Sequence, residues 1–373
     1  MLLPTKSELL ETFRIDPPDG RTFKNLAPPS RFMQSMTDQF RETFRKHPLG
    51  DILGQEHVKR QLQSALLAGH HVIITGPPGV GKTTLAKNVA KILPPVELND
   101  CPWHCSPGQP QCPSCREKKP KTRKISGGQR FIRVQGSPDL TAEDLLGDID
   151  PIKALKFGPS SQEAFTPGKL FRANNGILFF DELNRAPEKL QNALLQVLEE
   201  GRATIGSYDV DLHADFLLIA TLNPKDTSTE KLSDVLLDRF DVIPMGYPET
   251  DDLERQIVLA KGRQFLPFPE ALLAFLVLFI RTLRANKDLE KVPGVRASIA
   301  WYERAQTAAL LAGRDKLTIN DLHDTVVSVL AHRIELKPSL RYLRSPEELL
   351  REQWKALAKD FTRAAAPSGG DGL

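Results

Sequence analysis

The chain has 373 residues, 40% of them hydrophobic and 26% charged, with a formal net charge of +3. This length accommodates two or three domains with their own cores, and the composition excludes a disordered or fibrous chain. The near-balanced charge excludes a global field drawing the protein to nucleic acid or anionic membrane, and the longest apolar stretch, 271–280, is too short to span a bilayer. With Glu8 and Glu11 early in the chain in place of a secretory segment, the cytoplasm is the expected location.

Residues 1–36 contain Asp16-Pro17-Pro18-Asp19-Gly20 and Pro28-Pro29, which favour turns and extended segments over a packed element. A short amphipathic helix is predicted over 37–46 and a longer one over 55–68, where Val58, Leu62, Ala65 and Leu66 share a face. The apolar run His71-Val72-Ile73-Ile74-Thr75 then predicts a buried strand, and 84–91, beginning at Thr84, predicts a helix. Between them, Gly76-Pro77-Pro78-Gly79-Val80-Gly81-Lys82-Thr83 fits the phosphate-cradling pattern G-x-x-x-x-G-K-[ST]. Glycines let such a loop aim its N–H groups inward, and the positive end of the following helix adds field at the same point. Lys82 is placed to reach the β- and γ-phosphates of a nucleotide, and Thr83 to ligate Mg²⁺.

All four cysteines follow closely, as Cys101-x3-Cys105-x6-Cys112-x2-Cys115. This clustering predicts a tetrahedral zinc site in a loop rich in Pro, Gly and Gln, with His104 able to replace one thiolate. An iron–sulfur cluster and a pair of disulfides are the competing readings, the latter disfavoured in a reducing compartment. Residues 116–124 next carry six positive charges in nine positions, followed by Arg130 and Arg133. A solvated loop is one reading of this segment; a track for a nucleic-acid backbone is the other.

Ile177-Leu178-Phe179-Phe180-Asp181-Glu182 reads as an apolar strand ending in two acids, after a turn at Gly176. A nucleotide-hydrolysing site needs such a pair: Asp181 for Mg²⁺ and Glu182 to polarise the attacking water. A third strand, 216–222, runs into Asn223-Pro224, where the amide can hold water or the γ-phosphate or serve as a turn residue. Arg239 lies among apolar anchors in Leu236-Leu237-Asp238-Arg239-Phe240, either as a surface charge or as a guanidinium for a transferring phosphoryl group. Beyond Pro248 the pattern turns helical, over 251–261, 269–284, 295–312 and 318–330. A last helix is predicted after Ser345 as cap, with Leu349, Leu350, Trp354 and Leu357 on one stripe, either packed on its own domain or offered to a partner.

These residues, in this order, resemble the AAA+ ATPases, in the branch containing MoxR proteins and the ATPase (I) subunit of magnesium chelatase. The resemblance covers about residues 51–335. It begins at Asp51-Ile52-Leu53-Gly54-Gln55, similar to the family's adenine-side box, and includes Phe165-Thr166-Pro167-Gly168-Lys169-Leu170. Asp181-Glu182-Leu183-Asn184-Arg185-Ala186-Pro187 is close to the MoxR form, whereas Leu145-Leu146-Gly147-Asp148-Ile149-Asp150 is nearer to magnesium chelatase. Pro293-Gly294-Val295-Arg296-Ala297-Ser298 is similar to the sensor-2 segment.

The resemblance implies an αβα P-loop NTPase core with a parallel sheet, then an all-helical lid. On that basis 37–248 is the nucleotide-binding domain, containing a Cys-rich basic insertion at 101–133 and the helix-2 insert at 136–161. The lid is 249–335, and 336–373 is a C-terminal helix and flexible tail. It further implies ATP and Mg²⁺ as ligands, Ile52 and Gln55 on the adenine side, Asn223 as sensor 1, Arg296 on the γ-phosphate, and Arg239 as an arginine finger reaching a neighbouring subunit. Arg185 is read as a surface ion pair or as part of the subunit contact. The implied assembly is a ring, commonly a hexamer, that remodels a protein client, in these families frequently one with a von Willebrand factor A domain. A nucleic-acid motor using the basic insertion, and a nucleotide-gated scaffold that hydrolyses little, are the other functional classes.

Overall fold

The computed structural model describes residue 42 and residues 49–117, 120–159, 161–204, 211–224 and 232–365. The N-terminal segment 1–36, all of the predicted 37–46 helix but residue 42, Lys118, Lys119 and the end of the tail, 366–373, lie outside the described residues. Helix α1 (Glu56–Ala68) leads into β1 (His71–Thr75), and α2 (Lys82–Ile92) follows the glycine loop. The cysteines, with α3 (Pro113–Glu117), lie within an antiparallel hairpin of β2 (Val96–Asn99) and β3 (Thr122–Ile125). From β4 (Phe131–Gln135) the chain passes through α4 (Ala142–Leu146), β5 (Gly147–Ile149), α5 (Pro151–Phe157), β6 (Phe165–Pro167) and α6 (Lys169–Arg172) to β7 (Gly176–Asp181). Then come α7 (Glu188–Glu200), a hairpin of β8 (Arg202–Thr204) and β9 (Asp211–His213), β10 (Phe216–Leu222), α8 (Asp234–Leu237) and β11 (Phe240–Pro244).

The five long strands form one parallel sheet in the order β11-β1-β10-β7-β4. Both faces of the three inner strands β1, β10 and β7 are covered, which is why these are continuous apolar runs, whereas the edge strands β4 and β11 carry polar residues. Val72, Ile74, Phe179 and Ile219 pack against Leu62 of α1 and Leu85 and Val89 of α2. On the opposite face Ile73, Leu178, Phe180 and Leu218 pack with Leu190 and Leu194 of α7, and with Trp103 and three of the cysteines. All five strands point the same way, so the loops at their carboxyl ends converge along one edge, where ligands of such sheets bind.

Helices α9 (Asp251–Lys261), α10 (Glu270–Ala285), α11 (Val295–Leu311) and α12 (Ile319–Leu330) form a second core around Phe279, Trp301 and Leu322. One expectation is corrected there. This part is not wholly helical: β12 (Leu289–Lys291) pairs with β13 (Glu335–Leu336), an association of distant short segments that no local pattern signals. Of the two readings of the last helix, packing on its own domain is the one observed: Leu349, Leu350 and Trp354 of α13 (Pro346–Ala365) are buried in the same core. The Trp354 ring lies 5.2 Å from Phe275 and 6.4 Å from Trp301, so its stripe is used internally.

Candidate nucleotide site and cysteine cluster

The glycine loop leaves β1 and enters α2 with left-handed backbone at Gly79 and Gly81, φ 82° and 107°. At Gly76, a Cβ would come within 2.1 Å of the Met245 carbonyl, so only glycine fits. Lys82 Nζ donates to the carbonyls of Gly76 at 2.5 Å and Pro77 at 2.9 Å. Burial lowers its pKa; Asp181 and Glu182 oppose that shift and Arg296 adds to it, so all four charges share one field. Thr83 Oγ1 lies 3.5 Å from Asp181 Oδ2, and Thr84 is exposed one residue on. Ile52 packs toward Gly81, where a Cβ would meet its Cδ1 at 3.3 Å, and Gln55 Nε2 donates to the Gly246 carbonyl at 3.1 Å. From the lid, Arg296 lays its aliphatic stem against the loop, its Cγ 3.3 Å from the Cβ position of Gly79.

The acids at the end of β7 are held by partners that the sequence did not place beside them, Arg185 excepted. Thr221 Oγ1 donates to Asp181 Oδ1 at 2.7 Å and accepts the Glu182 N–H at 2.9 Å. From the neighbouring strand β4, Arg133 binds Asp181 Oδ2 at 2.6 Å, and Gln135 Nε2 donates to Glu182 Oε2 at 3.1 Å. The parallel register that pairs Gln135 with Asp181 puts them there. Arg185 pairs with Glu182 at 3.3 Å. Glu182 itself is left-handed, φ 57°, turning its carboxylate off the strand. Asn223 directly follows Leu222, whose carbonyl accepts the Gly76 N–H at 3.2 Å, so it too adjoins the loop.

Arg239 is not brought to this group. It precedes Phe240, which pairs with His71 at the start of β1, whereas the glycine loop leaves the far end of that strand after Thr75. The offset is about 13 Å along the sheet at 3.3 Å per residue. Arg239 pairs with Glu199 and, at 3.1 Å, with Asp238.

The four cysteine sulfurs lie within 4.8 Å of one another, and three of these residues are buried. None is in a disulfide. A single ion with four Zn–S bonds of about 2.3 Å spaces its sulfurs roughly 3.8 Å apart, which this constellation accommodates; a multi-iron cluster requires a wider frame. Backbone N–H groups already point at sulfur: Cys105 N to Cys101 Sγ at 3.4 Å, and Gln111 N and Cys112 N to Cys105 Sγ at 3.4 and 3.5 Å. Such donors favour thiolate, but the thiols share one proton network: the Cys101 thiol is held down to about 5, first by its hydrogen bond with Cys105, while that same bond and burial push the Cys105 thiol up. His104 is not part of the ligand group: its backbone is left-handed and its imidazole Nδ1 is buried without a hydrogen bond.

The basic segment behind the cysteines is corrected in two respects. Residues 122–124 form part of β3, paired with β2, where a solvated loop was one reading. Gly127, just beyond, is a close-packing position against α2, since a Cβ there would strike the Ala90 carbonyl at 2.1 Å. Arg130 is fully buried, donating to the carbonyls of Asn175 and Pro94, and Arg133 is committed to Asp181. Arg130 is therefore not available to a phosphate backbone.

Known proteins bear on this arrangement at three successive places. The model for magnesium chelatase, subunit ChlI, matches residues 48–102, that for the ATPase family associated with various cellular activities (AAA) matches 119–242, and that for the AAA lid domain matches 290–353. The chain belongs to the AAA+ ATPases. It is of the magnesium-chelatase ChlI/MoxR type: the ChlI homolog of Methanocaldococcus jannaschii is 28% identical over 84% of this chain and 91% of its own. Chaperone MoxR1 of Mycobacterium tuberculosis is 25% identical over 85% of this chain and 82% of its own. A structure of the complex between subunits BchI and BchD of magnesium chelatase aligns at 22% identity and a TM-score of 0.47, covering 81% of this chain and 98% of that one. The lid match extends past residue 335, where the resemblance was expected to end, into α13. Between the first two matches, residues 103–118 hold three of the four cysteines of this AAA+ ATPase.

Proposed function

We propose that this AAA+ ATPase is a ring-forming motor that hydrolyses ATP at sites shared between subunits and uses the cycle to remodel a protein partner. The observation that carries this reading is the position of Arg239 at the opposite end of the sheet from its own glycine loop. A guanidinium there serves a nucleotide only when a second copy is stacked against that edge, and successive heterologous contacts of this kind close into a ring.

Within one subunit the roles divide by position. The loop 76–83 and Lys82 hold the phosphates, and Ile52 and Gln55 flank the adenine side. Thr83 and Asp181 would hold Mg²⁺, which neutralises charge on the β- and γ-oxygens when bound. Glu182 orients the attacking water and Asn223 fixes the γ-phosphate end. Arg296 reports the γ-phosphate to the lid, converting nucleotide state into lid movement. The cysteine cluster is a structural zinc site, its four thiolates closing a segment too rich in Pro, Gly and Gln to hold itself.

The client class that the family resemblance points to is a von Willebrand factor A-domain protein. Glu182→Gln tests this reading. It should bind ATP, lose turnover by roughly 10²-fold or more, and remain assembled on a protein client recovered from native extract. Parental turnover in that variant, or recovery of nucleic acid in place of protein, would contradict it.

A further inference from the structure

The cysteine cluster sits at the other end of the catalytic strands from the nucleotide, and two asparagines join it to them. Asn174 and Asn175 immediately precede β7, and Asp215 immediately precedes β10. Asn174 Nδ2 donates to the Trp103 carbonyl at 3.3 Å while its Oδ1 accepts the Asp215 N–H at 3.0 Å. Asn175 Nδ2 donates to the His104 carbonyl at 2.8 Å, its Oδ1 accepts from Ser106 Oγ at 3.3 Å, and its N–H donates to the Asp215 carbonyl at 2.7 Å. The Asn175 carbonyl accepts from the buried Arg130. Both asparagines are themselves buried, at 3% and 8% exposure.

The segment they grip, residues 103–106, runs through the loop that joins Cys101 to Cys105. His104 in that loop has φ 45°, unusual for a non-glycine residue, so its shape depends on what fixes its two ends. Resting on the reading of the cluster as a metal site, we infer that the metal-loaded cysteine module sets the position of the catalytic strands, with Asn174 and Asn175 as the positioning residues that transmit it. The Trp103 ring adds an apolar contact to the same linkage, packed 5.2 Å from Phe171 and 5.6 Å from Phe165. β7 is buried at all six positions and paired on both sides, so its anchored start fixes its far end. That far end carries Asp181, 3.5 Å from Thr83, where a displacement of an ångström disrupts a metal geometry. Loss of the metal releases the 101–105 loop, frees the asparagine side chains and unfixes the starts of β7 and β10 together.

The test uses the full chain, reduced, as purified, after loading with Zn²⁺, and after chelator stripping and return to Mg²⁺. Metal content, ATP affinity, kcat and amide exchange at the start of β7 are measured for the parent, Asn175→Gly and Asn174→Ala. Glycine keeps the left-handed backbone that Asn175 adopts at φ 56° and removes only its side-chain bonds. Stripping should lower the parent's kcat about tenfold, with ATP affinity held within about twofold and faster exchange at residues 176–178. Each variant should start from the lowered kcat with zinc bound, and stripping it should cost little more, because the two changes cut one linkage. Full zinc loading with unchanged kcat on stripping, or losses that multiply independently, would overturn the linkage alone. No bound metal even after Zn²⁺ loading would overturn the metal reading and the inference with it.

Discussion

The residue most exposed to test is Arg133, because its guanidinium sits on Asp181, the carboxylate proposed to hold Mg²⁺. Its contact with Asp181 is 2.6 Å and half-exposed, a charge-assisted bond that Mg²⁺ must displace or share. Arg133→Gln should therefore lower the Mg²⁺ concentration for half-maximal ATP turnover by roughly threefold to tenfold, as expected for removing one partly screened charge. A magnesium titration of initial rates checks this; an unchanged or higher requirement would show that Arg133 does not oppose the metal. Arg130 behaves oppositely. Burial holds its pKa down to about 10 and its hydrogen bonds are to carbonyls, so Arg130→Ala should destabilise the core by about 3 kcal/mol, read by denaturant unfolding.

Among elements, α13 and α12 give the clearest measurements. Trp354 packs on Phe275, Phe279 and Trp301, so Trp354→Ala should cost about 3–5 kcal/mol in lid stability, whereas a helix held out for a partner would lose almost nothing. The start of α12 is capped reciprocally by Thr318 and Asp321, and Arg314 binds the same carboxylate. Arg314 first, against burial, holds the Asp321 carboxyl down to about 2 from its ordinary 3.8. A carboxylate depressed in the folded state stabilises above its unfolded value, and that contribution is lost as pH falls through the folded one. Asp321→Asn should thus be less stable than the parent at pH 7, with the gap closing as pH drops from about 4 to about 2.

The same elements show what the sequence could carry. Strands 71–75 and 216–222 were legible as apolar runs because burial on both faces removes alternation. The glycine loop and the acids at 181 and 182 were legible because each chemistry lies within one short segment. Arg133, Gln135 and Thr221 were not, since only the non-local register of β4, β7 and β10 puts them beside the acids. Arg130 was grouped with a basic segment read as a solvated loop or a nucleic-acid track, because a charge count does not reveal that the Asn175 and Pro94 carbonyls await it. The hairpins β5–β6 and β8–β9 escaped for a related reason, being three-residue pairings without a pattern of their own.

For the whole molecule, one geometrical fact decides how many subunits a working site needs. The glycine loop, Asp181, Glu182 and Arg296 gather at one end of the sheet, while Arg239 stands at the other. A site assembled from both ends requires neighbours, and turnover should rise more steeply than protein concentration through the range where subunits associate. The most direct measurement mixes two variants that are each defective. Lys82→Ala lacks the lysine proposed to bind phosphate but keeps Arg239; Arg239→Ala keeps the loop but lacks the proposed finger. Each alone should show under about 1% of parental turnover, while a mixture should regain activity, because about a quarter of randomly formed interfaces then pair an intact loop with an intact arginine. No recovery on mixing, together with parental activity from a dilute monomer, would contradict a site shared between subunits.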